Sequence, residues 1–283
     1  MGYALSPRRC ENWSFKSISY VHTTITLAPM KDILVIGAGN LSWHLVQVLQ
    51  RAAYDVTLVS RAPSRVADWP VRVQALAEVS EHPDLIILAV PDGAIHQAST
   101  ELANHFPSAT PIIHTSGATP AVMINSHFSN RGALWPIRSL RAGEPVSDWR
   151  DLPLVYHATD TALTQVLGGL AAELSDQVHF LDDAQRAKLH LAAVFSNNFV
   201  TWLYEISHQL CTESGIPFET LLPIIRDTAT KQDGTSPAIR QTGAAARGDQ
   251  ATIDRHLHLL ASHPEYASLY QFMSDAIQRG VNK

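Results

Sequence analysis

The chain has little that would tie it to an oxidising compartment, a membrane or a nucleic acid. Its two cysteines, Cys10 and Cys211, form neither a C-x-x-C pair nor a disulfide framework. No run of about 18 apolar residues is present that could span a bilayer. Charged residues make up 17%, and the net charge of −5 comes without the basic stripe typical of nucleic-acid binding. We therefore expect a globular cytoplasmic protein with neither nucleic acid nor membrane as a partner.

The first 29 residues precede the first apolar strand. They carry positive charges but lack the continuous apolar segment of a secretory signal. Met30 and Lys31 then open the strand much as a native start would. We predict that residues 1–29 are an extension outside the fold, with a transit-like leader as the alternative.

Short apolar runs separated by helical segments continue to about residue 181. The runs lie at 32–36, 55–59, 84–90, 111–114, 132–135, 154–157 and 178–181, and helices are predicted at 41–52 and 161–174. Apolar strands that alternate with helices are typical of a parallel sheet covered on both faces. The sequence thus predicts an α/β domain over residues 30–181, with a Rossmann-type, doubly wound parallel sheet.

The pattern becomes helical after residue 181. Residues 184–213 place apolar residues at helical spacing without an internal glycine or proline, which predicts one helix of about thirty residues. Glycines and prolines divide the remainder into shorter helices. We therefore predict a smaller all-α domain over residues 182–283.

The segment ILVIGAGNLSWHL, residues 33–45, is typical of a dinucleotide-binding turn. Gly37 would permit a tight turn, and Gly39 a close approach to a pyrophosphate. The helix from Asn40 or Leu41 would direct its first amides at the phosphates. Ser42 replaces the third glycine, whose role in close helix packing a small side chain can approximate. The alternative is a glycine turn in an α/β domain that binds no ligand.

The end of the second strand distinguishes the two pyridine nucleotides. An NAD site usually carries an acid there, whereas this chain has Ser60 and Arg61, followed by Arg65. A carboxylate would repel a 2′-phosphate, and a guanidinium can bind it. These residues favour NADP; the alternative is that both arginines are solvated loop charges.

Two later strand ends should lie at the same edge of the sheet, where ligands bind in open α/β folds. We predict that they line the nicotinamide pocket. Asp92, beside the first of them, is interpreted as the N-cap of the next helix. The predicted lining residues are Val90, Pro91, His114, Ser116 and Gly117.

Five motifs in order, IGAGN, LAVPD, IIHTSG, LHLAAVFSNNF and TGAAARGD, make residues 31–279 resemble the bacterial Rossmann-like proteins with a C-terminal domain of unknown function 2520. That family is related to NADP-dependent two-domain reductases of the pyrroline-5-carboxylate, ketopantoate and 6-phosphogluconate types. The resemblance implies the same fold, an NADP site and a homodimer formed through the helical domain. The chain departs from the family at Trp135, where histidine is frequent, and at Ala244, where proline is frequent. The first departure puts a catalytic role for that position in doubt.

The long helix carries the candidates for chemistry. His190, Val194, Asn197 and Thr201 lie at i, i+4, i+7 and i+11 and hence share one face, and Asn198 adjoins it. Related reductases place a proton donor and an amide on this helix, often a lysine and an asparagine four residues apart, and that pair is absent here. His190 could supply a proton while Asn197 or Asn198 orients a carbonyl or imine. Alternatively, the three satisfy buried polar groups.

A second candidate group lies near residue 245. Gly243 and Gly248 would free the backbone, Arg247 could bind an anionic substrate group, and Asp249 could cap the next helix. The predicted substrate-binding residues are Thr242, Gly243 and Arg247. The histidines lack metal-ligand spacing, so we predict no metal.

The function expected is that of an NADP-dependent oxidoreductase, which transfers hydride to or from a small carbonyl or imine bound between the domains. Two alternatives remain open: a non-catalytic NADP-binding sensor or scaffold, and an enzyme of this fold that uses a deazaflavin.

Overall fold

The computed structural model describes residues 30–80, 82–146 and 148–281, so the predicted extension over residues 1–29 lies outside the described residues. The described chain divides into two compact units between Arg186 and Ala187. The N-terminal unit contains eight strands in one sheet: β1 Asp32–Ile36, β2 Asp55–Val59, β3 Arg72–Gln74, β4 Leu85–Leu88, β5 Ile112–His114, β6 Arg131–Pro136, β7 Leu154–Ala158 and β8 Val178–Phe180.

The order of the sheet is β3-β2-β1-β4-β5-β6-β7-β8. From β3 to β6 every neighbouring pair is parallel, which brings the carboxyl ends of β1, β2, β4 and β5 to one edge. The predicted α/β class and doubly wound sheet are therefore confirmed.

The mostly parallel sheet contains one antiparallel pair. β6 and β7 are antiparallel, with Ala133 opposite His157, and β8 then runs parallel to β7. A parallel pair needs a crossover connection, usually helical. The described part of the segment between β6 and β7 contains no helix, so the chain simply reverses direction.

Three helices of this unit cover the two faces of the sheet: α1 Asn40–Arg51, α2 Ile95–Leu102 and α3 Thr161–Leu174. α1 and α3 pack on one face, where Val146, Trp149 and Leu152 from the segment between β6 and β7 share their core. α2 packs on the other face with Phe106 and Phe128. Burial on both faces explains the nearly continuous apolar strands.

Asp92 does not have the predicted role. It begins a short 3-10 turn, Asp92–Ala94, and α2 has Ala94 as its N-cap, without a hydrogen bond from a capping side chain. The extra turn moves the start of the helix away from Asp92.

The polypeptide continues as α4 Asp183–Ala193, whose first turn belongs to the N-terminal unit. The C-terminal unit contains a π-helical segment, Val194–Phe199, and then α5 Val200–Glu213, α6 Leu222–Thr230, α7 Ala244–Arg247, α8 Gln250–Leu259 and α9 Pro264–Val281.

Side-chain hydrogen bonds tie the helices of this unit to α9. His256 of α8 bonds the hydroxyl of Tyr270 at 2.8 Å, and His263, just before α9, lies 2.9 Å from the carboxylate of Glu213. Burial is nevertheless sparse: of residues 187–280, only Ile253, Leu260 and Ser274 are buried.

Candidate functional site

The turn after β1 requires glycine at its first position. Gly37 adopts φ +104°, and a Cβ built on it would lie 2.6 Å from the carbonyl oxygen of Ala89. Its N–H donates to the carbonyl of Val59 at 2.9 Å. The predicted tight turn is confirmed, because only glycine combines this φ with such close packing.

Gly39 has a different environment. Any residue type can adopt its φ of −95°, and a Cβ built on it would have no atom within 4 Å. Gly39 is the N-cap of α1, no side chain caps the helix, and its first turn contains no acid. The first amides of α1 therefore lack intrahelical and side-chain acceptors, an arrangement that favours an anion.

Ser42 supports the packing of α1. It is fully buried, as its place in the motif predicts, and its hydroxyl has no hydrogen-bond partner among the described residues. An unpaired buried hydroxyl costs about 1–3 kcal/mol. The small side chain thus keeps the close helix–strand contact at some cost to stability.

The loop after β6 fastens the start of α1. The side-chain oxygen of Asn40 accepts a hydrogen bond from the N–H of Ala142 at 3.2 Å, and His44 Nε2 lies 2.9 Å from the carbonyl oxygen of Arg141. The side chain of Asn40 is thus occupied by this loop.

A cleft of about 470 Å³ opens at the carboxyl ends of β1, β2 and β4, within the size range of small-molecule sites. Its remaining wall comes from α2 and from the 3-10 turn after β3. Seven residues predicted to bind the nucleotide line it: Gly37, Gly39, Ser60, Arg61, Arg65, Val90 and Pro91.

The sequence did not identify the opposite wall of this cleft. That wall contains Ala75 and Leu76 after β3, together with Gln97, Ala98 and Glu101 of α2. β3 has only three residues and no apolar run, so it gave no strand signal. Small and apolar side chains here provide a surface suited to a flat ring.

The end of β2 is basic. Ser60 is buried, and its hydroxyl accepts a hydrogen bond from the N–H of Ala62 at 3.1 Å, which shapes the turn. Arg61 and Arg65 are exposed and face the cleft. Neither forms an ion pair with an acid in the described part of the chain, and Glu101 is the one acid among the lining residues. Two guanidinium groups are therefore available at this end of the cleft.

The end of β5 lies at the same edge, but its residues do not line the cleft. His114 is fully buried, Ser116 and Gly117 are buried as well, and His114 Nδ1 accepts a hydrogen bond from the N–H of Ser116 at 3.2 Å. Burial and, after it, the nearby Arg186 cation lower the pKa of His114 to about 4. Contact of these three residues with a cofactor stays a prediction.

The candidates on the long helix lie around the π-helical segment. A π-helix bonds i to i+5, so a face drawn with the α-helical repeat does not carry through Val194–Phe199. The predicted long helix is present without a break over α4, the π-helical segment and α5, but the expectation that His190, Asn197 and Thr201 share one face is wrong. His190 is half-buried in α4, whereas Asn197 and Asn198 are exposed within the π-helical segment. Such segments are frequent at functional sites.

The second candidate group has its own local order. Arg247 donates a hydrogen bond to the carbonyl of Thr242, and its Nη2 lies 3.9 Å from Asp249. Gly248 adopts φ +66°, as expected. Gly243, with φ −70°, needs no special backbone freedom, so that expectation is wrong.

Asp249 is the N-cap of α8, as predicted. It accepts the N–H of Thr252 at 3.1 Å and the Thr252 hydroxyl at 2.8 Å. These hydrogen bonds lower the pKa of Asp249.

Two further observations concern the described residues as a whole. No group of three or more histidine, cysteine, aspartate or glutamate side chains within them is placed to hold a metal ion. Their helices also include none with both the length and the apolar character that a membrane crossing requires.

The cleft lies beside a glycine-containing turn at the edge of a mostly parallel sheet, and a helical unit follows the sheet in the chain. These features define the class of two-unit proteins with a dinucleotide-binding fold. Family models agree: one for a Rossmann-like domain matches residues 23–138, and one for the domain of unknown function DUF2520 matches residues 152–277. The chain belongs to the family of Rossmann-like proteins with a C-terminal DUF2520 domain, which confirms the resemblance seen in the sequence motifs.

Solved structures place this family among known folds. A Bacteroides fragilis protein with the provisional description NADP oxidoreductase is 30% identical, with 88% of this chain and 99% of that one covered and a TM-score of 0.81. An imine reductase from Myxococcus stipitatus in complex with NADP+ shares 15% identity over 89% and 94% of the chains, with a TM-score of 0.61.

A reductive aminase from Aspergillus terreus in complex with NADPH and ethyl levulinate shares 13% identity over 90% and 94%, with a TM-score of 0.64. These two distant structures share the fold. A comparison of the sequence with curated proteins gave no match.

Proposed function

We propose that the protein is an NADP-dependent oxidoreductase. The observation that carries the proposal is the cleft that combines the Gly37–Gly39 turn, the uncapped start of α1 and two arginines after β2 that have no acidic partner in the described chain. Its structural neighbours are NADP-dependent reductases, which supports a general oxidoreductase role.

The residues of the cleft fit the parts of NADP. The open space beside Gly39 and the first amides of α1, from Asn40 and Leu41 onward, suit the pyrophosphate. Arg61 and Arg65 suit the 2′-phosphate. The apolar wall around Leu76 and Ala98 suits adenine. When bound, NADPH supplies the hydride.

The test is a calorimetric titration of the unmutated protein with NADP+ and NAD+. Because Arg61 and Arg65 have no acidic partner in the described chain, NADP+ should bind at least about tenfold more tightly than NAD+, the equivalent of one charged hydrogen bond. Equal affinities would contradict the proposed preference for NADP. If neither nucleotide binds, the proposed nucleotide site is wrong.

The substrate we propose is a small carbonyl or imine. A hydride added to such a group leaves negative charge on oxygen or nitrogen, and the imidazolium of His190 would neutralise it by proton transfer. Asn197 or Asn198 would orient the substrate by hydrogen bonding. Thr242, Gly243 and Arg247 would bind an anionic part of it, because the Arg247 side chain is 62% exposed despite its two local partners.

We also propose a homodimer formed through the helical unit. Four large apolar side chains recur along α4, the π-helical segment and α5 with high exposure: Leu191 57%, Phe195 61%, Phe199 49% and Trp202 54%. With only three buried residues over 187–280, this unit leaves these large apolar side chains uncovered, and exposed apolar patches frequently mark interfaces between proteins. A second copy joined by two-fold symmetry would cover it.

A further inference from the structure

Arg186, in the first turn of α4, is fully buried within the N-terminal unit. Its Nη2 donates to the carbonyl of Thr119 and lies 2.8 Å from Asp183 Oδ1. Its Nε and Nη1 have no hydrogen-bond partner among the described residues. A buried cation whose donors are only partly paired destabilises the folded state, so stability alone does not explain an arginine at this position.

The carbonyl that Arg186 binds belongs to a loop, residues 115–121, that follows β5. At its start, the N–H of Ser116 donates to His114 Nδ1 at 3.2 Å. The Ser116 hydroxyl then accepts the N–H of Ala118 at 3.2 Å and that of Thr119 at 2.9 Å. These contacts depend on His114, because its ring orients Ser116.

The far end of the loop is held by α4. Asp183 Oδ2 accepts the N–H of Ala121 at 3.1 Å, and Arg186, one turn later in α4, donates to the carbonyl of Thr119, two residues before Ala121 in the loop. Asp183 also lies 3.5 Å from Nδ1 of His157. His114 and His157 occupy one row of the sheet, on either side of Ala133, so the ion pair of α4 packs beside both. The 115–121 loop is thus clamped at both ends.

The clamp at the start of the loop works only while His114 is neutral. An imidazolium has no acceptor nitrogen, so protonation would remove the bond from Ser116. Burial, with the Arg186 cation as the next contribution, lowers the pKa of His114 to about 4, while a hydrogen bond with the backbone of Pro120 and the carboxylates of Asp183 and Asp92 act in the opposite direction. Arginine keeps its charge at any relevant pH, so its influence is constant.

We propose that Arg186 is a positioning residue that fixes the 115–121 loop, by binding Thr119 directly and by keeping the His114 imidazole available as the acceptor for Ser116. The inference rests on the proposed function in one respect, namely that this loop forms part of the nicotinamide pocket. Arg186 itself contacts no substrate or cofactor in this proposal.

The test compares Arg186→Gln, which removes the charge, with Arg186→Lys, which keeps it. NMR titration of His114, assigned with a His114→Gln variant, is the first readout. In Arg186→Gln, His114 should titrate at least about one pH unit higher than in the wild type, because a cation is lost and Asp183 is left unpaired. In Arg186→Lys it should stay near the wild-type value. Unchanged titration in Arg186→Gln, or an equal rise in both variants, would overturn the proposal.

Affinity for NADP+ at pH 7.5 and pH 4.5 is the second readout. Relative to wild type at the same pH, Arg186→Gln should lose about threefold in affinity at pH 4.5, because a ring that titrates one pH unit higher is mostly protonated there, whereas the wild-type ring is mostly neutral. Arg186→Lys should follow the wild-type profile. A loss that is the same at both pH values would indicate a merely structural role and contradict the proposal.

Two further comparisons apply if Arg186→Gln does not fold or if the wild type binds no nucleotide. If Arg186→Gln does not fold, Asp183→Asn/Arg186→Gln removes the unpaired carboxylate; His114 should still titrate above wild type, because Arg186 influences it more than Asp183 does. If the wild type binds no nucleotide, the proposed function fails, whereas the His114 titration still decides the role of Arg186.

Discussion

Gly37 and Ala89 lie so close together that no side chain fits between them. A Cβ on Gly37 would come within 2.6 Å of the Ala89 carbonyl oxygen, at a φ of +104°. Two residues on, Gly39 has ordinary backbone angles and open space where its Cβ would point. The first glycine is therefore required by the fold, whereas the second is open to a ligand.

Substituting each glycine with alanine should separate these two roles. Gly37→Ala should destabilise the protein by about 1–3 kcal/mol or more, through backbone strain and the clash with Ala89. Gly39→Ala should leave the free energy of unfolding almost unchanged and weaken NADP+ binding at least about tenfold, because its methyl would occupy the pyrophosphate position. Urea denaturation and calorimetry measure both, and undiminished NADP+ affinity in Gly39→Ala would contradict the assigned cleft.

Arg61 should determine the preference between nucleotides. Arg61→Ala should weaken NADP+ binding about 10- to 100-fold, as expected for loss of a charged hydrogen bond, with little effect on NAD+. The matched control is Arg51→Ala, an exposed arginine at the end of α1 and outside the cleft. If the two variants bind NADP+ equally well, Arg61 is a solvated loop charge.

His190 should matter for turnover and not for nucleotide binding. Once a carbonyl or imine substrate is found, His190→Ala should lower kcat about 10²- to 10⁴-fold, because a proton donor acts in the transition state. The affinity for NADP+ should change little. His258→Ala, an exposed histidine of α8, is the control. Unchanged kcat in His190→Ala would exclude the proton-donor role, and a broad screen without turnover would favour a sensor.

The helical unit should hold two copies together. Sedimentation at micromolar concentration should show a dimer, and Trp202→Glu should shift it toward monomer by placing a charge in the apolar face. Val122→Glu is the control, since Val122 is 60% exposed but belongs to the N-terminal unit. A wild-type monomer at this concentration would contradict the proposed dimer.

The buried imidazole of His114 should make stability depend on pH. Its folded pKa of about 4 lies below the ordinary value of 6.5, so the unfolded chain binds a proton first as pH falls. Stability should thus be unaffected above about pH 6.5 and fall between there and pH 4, by up to about 3 kcal/mol. Urea denaturation at pH 7, 5.5 and 4.5 tests this against His114→Gln, which should lose this part of the slope. Identical slopes would exclude the effect.

The sequence predicted those parts of the fold whose signal is local. We could predict four strands, β1, β2, β4 and β5, because each is an apolar run that reflects its own burial. The turn at Gly37 could be predicted because a glycine there reflects the backbone angle that the turn needs. β3 was missed because its three residues, Arg72–Gln74, carry no apolar run. The direction of β7 was missed because strand direction depends on the connection, and an irregular segment of this length gives no local signal of its path.

The candidate site was predictable on one side only. Glycines and arginines mark the ends of β1 and β2, whereas the α2 wall consists of ordinary helix residues, among them Gln97, Ala98 and Glu101, that only tertiary packing brings to the cleft. Arg186 was also missed, because one arginine in a helical segment usually indicates a solvated position. Only the fold shows it to be buried.

The π-helical segment Val194–Phe199 affects how this chain is aligned with its relatives. A wide turn inside an otherwise regular helix holds an extra residue. A relative whose helix is regular throughout therefore aligns with this one only if a one-residue gap is placed inside the segment. Positions before and after that gap correspond under different offsets. The position of a relative that corresponds to Asn197 or Asn198 thus depends on where the gap is placed, and superposed backbones decide it better than aligned sequences.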